Sequence, residues 1–251
     1  MRIAGTGSAL PKKIVTNDML SEFLDTSDEW IRARTGVASR HVISDERLED
    51  LAIEAAKKAL ENASMDASEL DFSICSNVVN EYVTPQLSCI IQGGIGASCP
   101  CIDINCACAG FIYAVEIAES FYKAGKVRNV LVVSAEEPTR MTDWSDRRTC
   151  VLFGDGAGAA VLTPGYNIKS VKLSAVSATD KLWQYRLLHP TPYITKEEVD
   201  MPLQMKGQEV FKFAVKAAGK DISMALKELQ VNADDVDFYL LHQANIRIIH
   251  A

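Results

Sequence analysis

The sequence predicts an α/β protein built from two related halves, and three observations carry that prediction. Short apolar runs alternate with amphipathic helical stretches along most of the chain. One helix–loop–strand unit recurs at a fixed offset, as a duplicated layout would require. A cysteine-bearing segment, Asn105-Cys106-Ala107-Cys108-Ala109-Gly110-Phe111, stands at a strand-to-helix junction. Open α/β folds collect their ligands at such places.

Residues 2–7 read as a short strand ending in glycine. Thr26 with Glu29 three residues on has the form of a capping box, so a short helix through Trp30, Ile31 and Arg34 is expected to follow and stop at Gly36. Residues 47–63 predict an alanine-rich amphipathic helix, and Leu70 to Ser76 a strand. Residues 85–93 predict a helix running into Gly93-Gly94, Cys101 to Asn105 a strand, and residues 109–124 a helix ended by Gly125. Val130 to Ser134, apolar up to Val133, has the composition of a buried strand. The glycine-rich run Gly154-Asp155-Gly156-Ala157-Gly158-Ala159-Ala160 lacks a following helix and is flanked by apolar runs, so a tight strand–turn–strand is expected rather than a nucleotide loop.

The repeat sets Ala59-Leu60 over Ala225-Leu226, an offset of 166 (225 − 59). It continues at Ala67 over Ala233, Leu70 over Val236, Asp71 over Asp237 and Phe72 over Phe238. Both segments read as helix, acidic loop, then strand, the second strand running through Val236 to Leu241. The halves divide at Pro164-Gly165, giving residues 1–165 and 166–251. Adding the offset to Thr163 puts a complete second half near residue ~330. Ile248-Ile249-His250-Ala251 reads as an apolar helical run cut short, so the second half is expected to be incomplete.

Composition narrows the function. The chain has 251 residues, 48% hydrophobic and 24% charged, the proportions of an ordinary globular protein. Net charge is −7 from 26 basic and 33 acidic residues, which argues against general nucleic-acid binding. Membrane-length apolar runs are absent from the sequence, and the N-terminus is too short and glycine-broken to read as a signal peptide. An odd count of seven cysteines, several within apolar runs, suggests reduced thiols in a cytoplasm. The spacings Cys99-x-Cys101 and Cys106-x-Cys108 are not the two-residue gaps of zinc or iron–sulfur knuckles, so no metal is expected.

A cysteine at the start of a helix lies near free N–H groups and the positive dipole end, which favour the thiolate. Cys108 is thus the candidate nucleophile, and His242, placed like Ser76 at the carboxyl end of an apolar run, its candidate partner. On the residues alone, Cys108 as a small buried hydrophobe and His242 as a partly buried histidine stay open beside these readings.

The segment around Cys108, the run Phe153-Gly154-Asp155-Gly156-Ala157-Gly158 and His242-Gln243-Ala244-Asn245-Ile246-Arg247 together resemble the signatures of the ketoacyl-acyl-carrier-protein synthase III family. Thr26-Ser27-Asp28-Glu29-Trp30-Ile31 and Gly207-Gln208-Glu209-Val210-Phe211-Lys212 extend the resemblance over essentially the whole chain. It implies a thiolase-like fold, two pseudo-duplicated βαβαβ halves in a layered α-β-α-β-α sandwich. It also implies a condensing acyltransferase that begins type II fatty acid synthesis. Cys108 would take an acyl group from acetyl-CoA or a larger primer, and malonyl-acyl-carrier protein would then condense with it, losing CO2. His242 would support the charge that builds on the malonyl thioester. The family's third catalytic residue, an asparagine some ~30 residues after the histidine, would fall beyond residue 251, and Asn245 is not that residue.

By the same resemblance, Trp30 and Arg147 match the pair that sandwiches the adenine of CoA, and Arg34 a phosphate-facing position. Thr26, Phe153, Met205, Gly207 and Phe211 match the pantetheine tunnel, with Ala244 and Asn245 its polar wall. Lys212 and Arg247 match the basic patch for the acidic carrier protein. No redox or metal cofactor is implied, and the family works as a homodimer. Two positions depart from the pattern: Thr84 stands where an aromatic residue is frequent, which would enlarge the acyl pocket, and Cys106 where alanine is common. A sibling condensing enzyme of the same fold, such as a hydroxymethylglutaryl-CoA synthase, and a non-catalytic acyl-CoA or carrier-protein binding fragment are the alternatives.

Overall fold

A computed structural model describes residues 1–186, 192–193 and 200–251. In chain order the elements are β1 (Arg2–Ala9), β2 (Lys13–Thr16), α1 (Asn17–Ser21), α2 (Asp28–Thr35), β3 (Ser39–Val42), α3 (Leu48–Ala63), β4 (Phe72–Ser76) and α4 (Leu87–Ile95). They continue with β5 (Cys101–Ile104), α5 (Gly110–Lys123), β6 (Val130–Glu136), β7 (Gly156–Thr163), β8 (Leu182–Trp183), β9 (Gln204–Met205), α6 (Gly207–Leu229) and α7 (Ile246–Ile249). The chain forms two compact units. One comprises Met1–Val15, Arg40–Glu137 and Gly154–Leu173; the other comprises Thr16–Ser39, Pro138–Phe153 and Ser174–Ala251.

The first unit holds a five-stranded sheet ordered β1-β7-β6-β4-β5. β4 runs parallel to both β5 and β6, while β7 is antiparallel to β6 and to β1. The predicted strands and helices of this unit form, because each apolar run finds a covered face. On one face α3 and α4 bury Leu51, Ala52, Ala55, Ala59, Leu87 and Ile91 against Leu131, Val133 and Val161. On the other α5 lays Ala114, Val115 and Ala118 on Phe72, Ile74, Val130, Val132 and Leu162. Three layers result, helices on both faces of one sheet. The alanines of α3 serve close approach: at Gly5 and Gly7 of β1, a Cβ would overlap the backbone at Ala59 and Ala55. α4 begins at Leu87, two residues after Pro85, and carries Gly93 and Gly94 inside it before ending at left-handed Gly96. Its first turn is capped from across the sheet edge: the Asp103 carboxylate accepts from Leu87 N and Ser88 N, each at 2.8 Å. β2 and β3 pair with each other as a separate ribbon.

Three local expectations are corrected. The helix cap is Ser27, not Thr26: extended Ser27 accepts from Trp30 N at 3.1 Å, and α2 ends at left-handed Gly36 as expected. The glycine-rich run is not a strand–turn–strand. A 3-10 turn at Cys150–Leu152 leads through Phe153 into the single strand β7. Asp155 explains the loop, since its N–H donates to His41 O and its carboxylate accepts from Ile43 N, both at 2.8 Å. Finally, the strand expected over Val236 to Leu241 does not form. A strand exists only through a partner, and the segment has none among the described residues; Phe238 and Leu240 are 83% and 95% exposed.

Two segments 166 residues apart share local backbone geometry. α3 ends at Ser64 and α6 at Gln230, both left-handed (φ 52° and 54°). Asp66 and Asn232 then precede 3-10 turns at Ala67–Glu69 and Ala233–Asp235, the same positions offset by 166, and the Asp66 side chain caps the first.

The second unit is dominated by the 23-residue helix α6. It also holds α1, α2, the short β8–β9 pair and α7. Asn17 ties the α1–α2 corner, donating from Nδ2 to Asp28 Oδ1 and to Val37 O at 2.8 Å each. α7 packs against both α2 and α6.

Candidate active site

In the first unit the parallel strands β4, β5 and β6 present their carboxyl ends at one edge of the sheet, with Ser76 level with Ile104 and with Ser134. Asn77 N donates to Ile104 O at 3.1 Å, and the Asn77 side chain donates to Ala135 O at 2.7 Å, which binds the three strand ends together. The nucleophile segment leaves β5 at this edge. Ala107 is left-handed (φ 46°) without being glycine, which costs about 1–2 kcal/mol and marks a place where the backbone is bent for a purpose. The tight bend is a 3-10 turn, Ala107–Ala109, running directly into α5. Cys108 sits on that turn with its residue exposed to solvent. Gly110 makes the turn feasible, since a Cβ there would overlap the buried Ser76 hydroxyl.

The structure corrects one expectation about Cys108. Its thiol is pushed above the ordinary cysteine value rather than below it. Lost hydration of the sulfur is the first cause, and the Glu136 carboxylate adds to it; the residue's own backbone N–H works the other way.

Glu136 is the residue that sequence reasoning missed. It ends β6, where an acidic pair, Glu136-Glu137, closes an apolar run; that abrupt change was the available signal. Its carboxylate accepts from Val78 N at 3.1 Å, yet desolvation raises its pKa to about 7. A carboxyl whose folded value is raised stabilises the fold below its unfolded value and loses that contribution as pH rises through the folded one. Between pH ~4.5 and ~7 the loss is up to roughly 3 kcal/mol. Glu136→Gln is therefore expected to flatten the dependence of urea midpoint on pH in this range. It should also speed alkylation of Cys108 at neutral pH. An unchanged pH–stability curve would show that Glu136 does not titrate there.

The second unit carries the remaining candidates. Trp30 on α2 has two guanidinium groups over its ring, Arg34 at 4.3 Å and Arg147 at 5.0 Å from the centroid. Arg147 is tethered to Asp25, accepting partners being its backbone carbonyl and its carboxylate, the latter at 3.1 Å. A flat base between indole and guanidinium needs two contact distances of about 3.5 Å, or ~7 Å in all. Arg147 would thus swing out by roughly 2 Å to admit one. Arg34, expected toward phosphate, rests on the Trp30 ring one helical turn along.

Thr26 Oγ1 is buried without a hydrogen-bond partner. α7 is seated against the left-handed Gly36, whose missing Cβ leaves room for Ile246. This brings the Ala244–Arg247 segment to the end of the helix that carries Trp30. Asn245 caps α7, accepting from Arg247 N at 2.8 Å. Arg247 in turn lies 5.6 Å from the Phe211 ring on α6, next to exposed Lys212. Met205 on β9 and Gly207 at the start of α6 flank the same turn. His242 is exposed, in the irregular segment before α7. Thr84 is exposed on the loop before α4 in the first unit, and Phe153 half-buried at the end of the 150–152 turn in the second.

Residues 102–180, which include the Cys108 turn, match the family described as 3-oxoacyl-[acyl-carrier-protein (ACP)] synthase III. A beta-ketoacyl-[acyl-carrier-protein] synthase III of Xanthomonas campestris pv. campestris is 42% identical over 254 residues, spanning 100% of this chain and 78% of the relative. The chain belongs to the beta-ketoacyl-[acyl-carrier-protein] synthase III family. The solved structure of 3-oxoacyl-[acyl-carrier-protein] synthase III from Aquifex aeolicus VF5 superposes with TM-score 0.89 at 38% identity, covering 99% of this chain and 78% of that one. That of Thermus thermophilus superposes with TM-score 0.90 at 32% identity, covering 100% and 79%. The thiolase-like fold of this family and its class of chemistry, a condensing acyltransferase in fatty acid synthesis, follow from membership. Among the described residues no helix is long and apolar enough to cross a membrane.

Proposed function

We propose that this synthase III family member makes the first carbon–carbon bond of a fatty acyl chain, with Cys108 as nucleophile. The observation that carries the assignment is the Cys108 turn: an exposed cysteine residue, one residue after a left-handed alanine and two before α5, at the carboxyl edge of three parallel strands. The Cys108 sulfur attacks the thioester carbonyl of an acyl-CoA. The C–S bond to CoA breaks, and the departing thiolate takes up the proton that the cysteine has lost. Malonyl-acyl-carrier protein then loses CO2, and the electron pair so released forms the new bond to the acyl carbon. The bond from that carbon to the Cys108 sulfur breaks, giving 3-oxoacyl-ACP and the Cys108 thiolate, which takes a proton from solvent. His242 donates a hydrogen bond to the malonyl thioester oxygen as charge builds there, and N–H groups of the Cys108 turn stabilise the tetrahedral oxyanion. Of the halves 1–165 and 166–251, the first supplies the cysteine and the second the histidine.

CoA is held by the second unit. Trp30 and Arg147 grip adenine; Arg34 turns from the indole toward phosphate; and Thr26, Phe153, Met205, Gly207, Phe211, Ala244 and Asn245 line the path of pantetheine. The orphaned Thr26 hydroxyl suits a polar group of that arm. Base stacking is worth about 1–3 kcal/mol, so Trp30→Ala is expected to raise KM for acyl-CoA by roughly 5–150-fold with little change in kcat. A change confined to kcat would place Trp30 elsewhere. Lys212 and Arg247 receive the acidic carrier protein.

The enzyme acts as a cytoplasmic homodimer, in keeping with seven free cysteines. Exposed Thr84 lies at that interface and leaves room for primers larger than acetyl. Isobutyryl- or hexanoyl-CoA is then turned over at least as well as acetyl-CoA, and strict acetyl preference would sink this part of the reading.

The test of the whole is intact-mass spectrometry: an acyl-sized gain on Cys108 from acyl-CoA, discharged by malonyl-acyl-carrier protein. Discharge by acetyl-CoA or malonyl-CoA instead would assign a sibling condensing enzyme, and CoA binding with no gain a binding protein.

A further inference from the structure

Two helices carry opposite charge on matching faces. α3 and α6 end 166 residues apart, at left-handed Ser64 and Gln230. At that offset, buried Leu51, Ala52, Ala56 and Leu60 of α3 correspond to Ala217, Ala218, Ile222 and Leu226 of α6, so the apolar sides agree. The outer sides differ in sign. Asp50, Glu54 and Glu61 correspond to Lys216, Lys220 and Lys227, and all six are exposed. On α3 the charges are mixed: Lys57 and Lys58 stand among the acids, and Lys58 pairs with Glu54 at 2.6 Å. On α6 the places of Lys57 and Lys58 are taken by Ser223 and Met224, which leaves the lysines alone.

With exposed Lys212 they make a stripe. At 3.6 residues per turn all four fall within about 80° of arc and about 22 Å of helix. None of the four is ion-paired among the described residues. Glu209, the acid on that side of α6, is taken by Lys181. Asp221 accepts from the Ser174 hydroxyl at 3.2 Å and, like Glu228, lies about a third of a turn or more from the middle of the stripe. Like charges at this spacing repel, and a chain of net charge −7 has carboxylates enough to have relieved them. Phe213 and Met224, 51% and 45% exposed, border the row. The exposure of the stripe does not hang on what covers the apolar side of α6, because the matching side of α3 faces solvent with its own apolar side fully packed. Thr84, the position proposed for the homodimer interface, belongs to the first unit, and the stripe lies wholly in the second.

We propose that Lys212, Lys216, Lys220 and Lys227 form a docking surface for an acidic helix of the carrier protein, laid lengthwise along α6 with Phe213 and Met224 as its apolar margin. The proposal rests on the reading that malonyl-acyl-carrier protein is the second substrate. It extends the landing from Lys212 and Arg247, which meet where Arg247 lies over Phe211, to four turns of helix. Four uncompensated cations in a row match a row of carboxylates at the same helical spacing, and they steer an acidic partner before contact.

The test measures binding of holo-acyl-carrier protein, which brings no acyl group to turn over, to the full chain at ~25 and ~300 mM salt. The stripe variant Lys216→Gln, Lys220→Gln, Lys227→Gln is expected to weaken binding on the order of tenfold at low salt and little at high salt. Its CoA binding and melting should match the parent. Lys220→Glu alone, which gives α6 the charge that α3 carries at Glu54, should weaken binding by roughly threefold. A control, Lys13→Gln with Lys57→Gln and Lys169→Gln, removes three exposed charges from the first unit and should leave binding as it was. An equal loss in that control would reduce the effect to net charge and overturn the proposal. The stripe alone falls if Lys212→Gln with Arg247→Gln weakens binding and the stripe variant does not. Carrier protein that binds neither parent nor variants removes the underlying reading as well. Binding of the parent to phosphatidylglycerol vesicles, lost in the stripe variant while carrier binding persists, would assign the row to a membrane surface instead.

Discussion

The Cys108→Ala protein is expected to form no acyl-enzyme and to lose turnover by on the order of 10⁴-fold or more, while still binding CoA thioesters. Removing the nucleophile deletes the covalent intermediate itself, so no neighbouring group can compensate by degree. Cys106 cannot stand in. It lies on the other side of left-handed Ala107, at the cap of the turn, and a two-residue shift would carry its sulfur off the position from which Cys108 reaches a substrate. Acyl mass gain after treatment with acyl-CoA, read on both variants, decides the matter. Acylation that survives in Cys108→Ala and disappears in Cys106→Ala would transfer the role to Cys106.

Gly110→Ala is expected to damage both stability and activity. The added methyl would overlap the Ser76 hydroxyl, and Ser76 is 2% exposed in the strand that pairs with both β5 and β6. β4 cannot retreat without opening two ladders, so the strain falls on the start of α5 and thus on the Cys108 turn. A cost of about 3 kcal/mol is reasonable for overpacking at a rigid site. For a chain of this size that lowers Tm by roughly 6–12 °C. Removing the obstacle should help: the double variant Gly110→Ala with Ser76→Gly is expected to recover part of the lost Tm. If Gly110→Ala melts like the parent, the close approach of α5 to β4 is absent in solution.

Most of the first unit was legible in the sequence because its signals are local. Apolar runs such as residues 130–133 have no polar face to confuse, and α3 announces itself by alanine at helical spacing. The motif residues of the site were equally legible, since Cys108, Trp30, Arg147 and Phe211 lie in contiguous signatures. What escaped depends on through-space partners. Glu136 matters only because β6 ends beside β4 and the Cys108 turn, and no spacing along the chain says so. The raised thiol is likewise a through-space effect: the lost hydration of the sulfur comes first and the Glu136 carboxylate adds to it, and a helix start alone reveals neither. The cap moved from Thr26 to Ser27 because Ser27, not Thr26, is extended and has Trp30 N within reach. The run Val236 to Leu241 carries a strand's composition, yet composition supplies no partner, and the chain stays irregular there while the turn before it repeats the geometry of residues 64–70.

The seam between β1 and α3 has a consequence for how this protein can vary. Gly5 and Gly7 meet the backbone of α3 where Ala55 and Ala59 are wholly buried, so the two elements touch main chain to main chain. No side chain there can shrink to make room for another that grows. Drift elsewhere in the core can proceed by paired exchanges of volume, a larger residue answered by a smaller one. Along this seam that route is closed, and substitutions intended to fill or rigidify the protein should be sought on α5 or the edge of α4 instead.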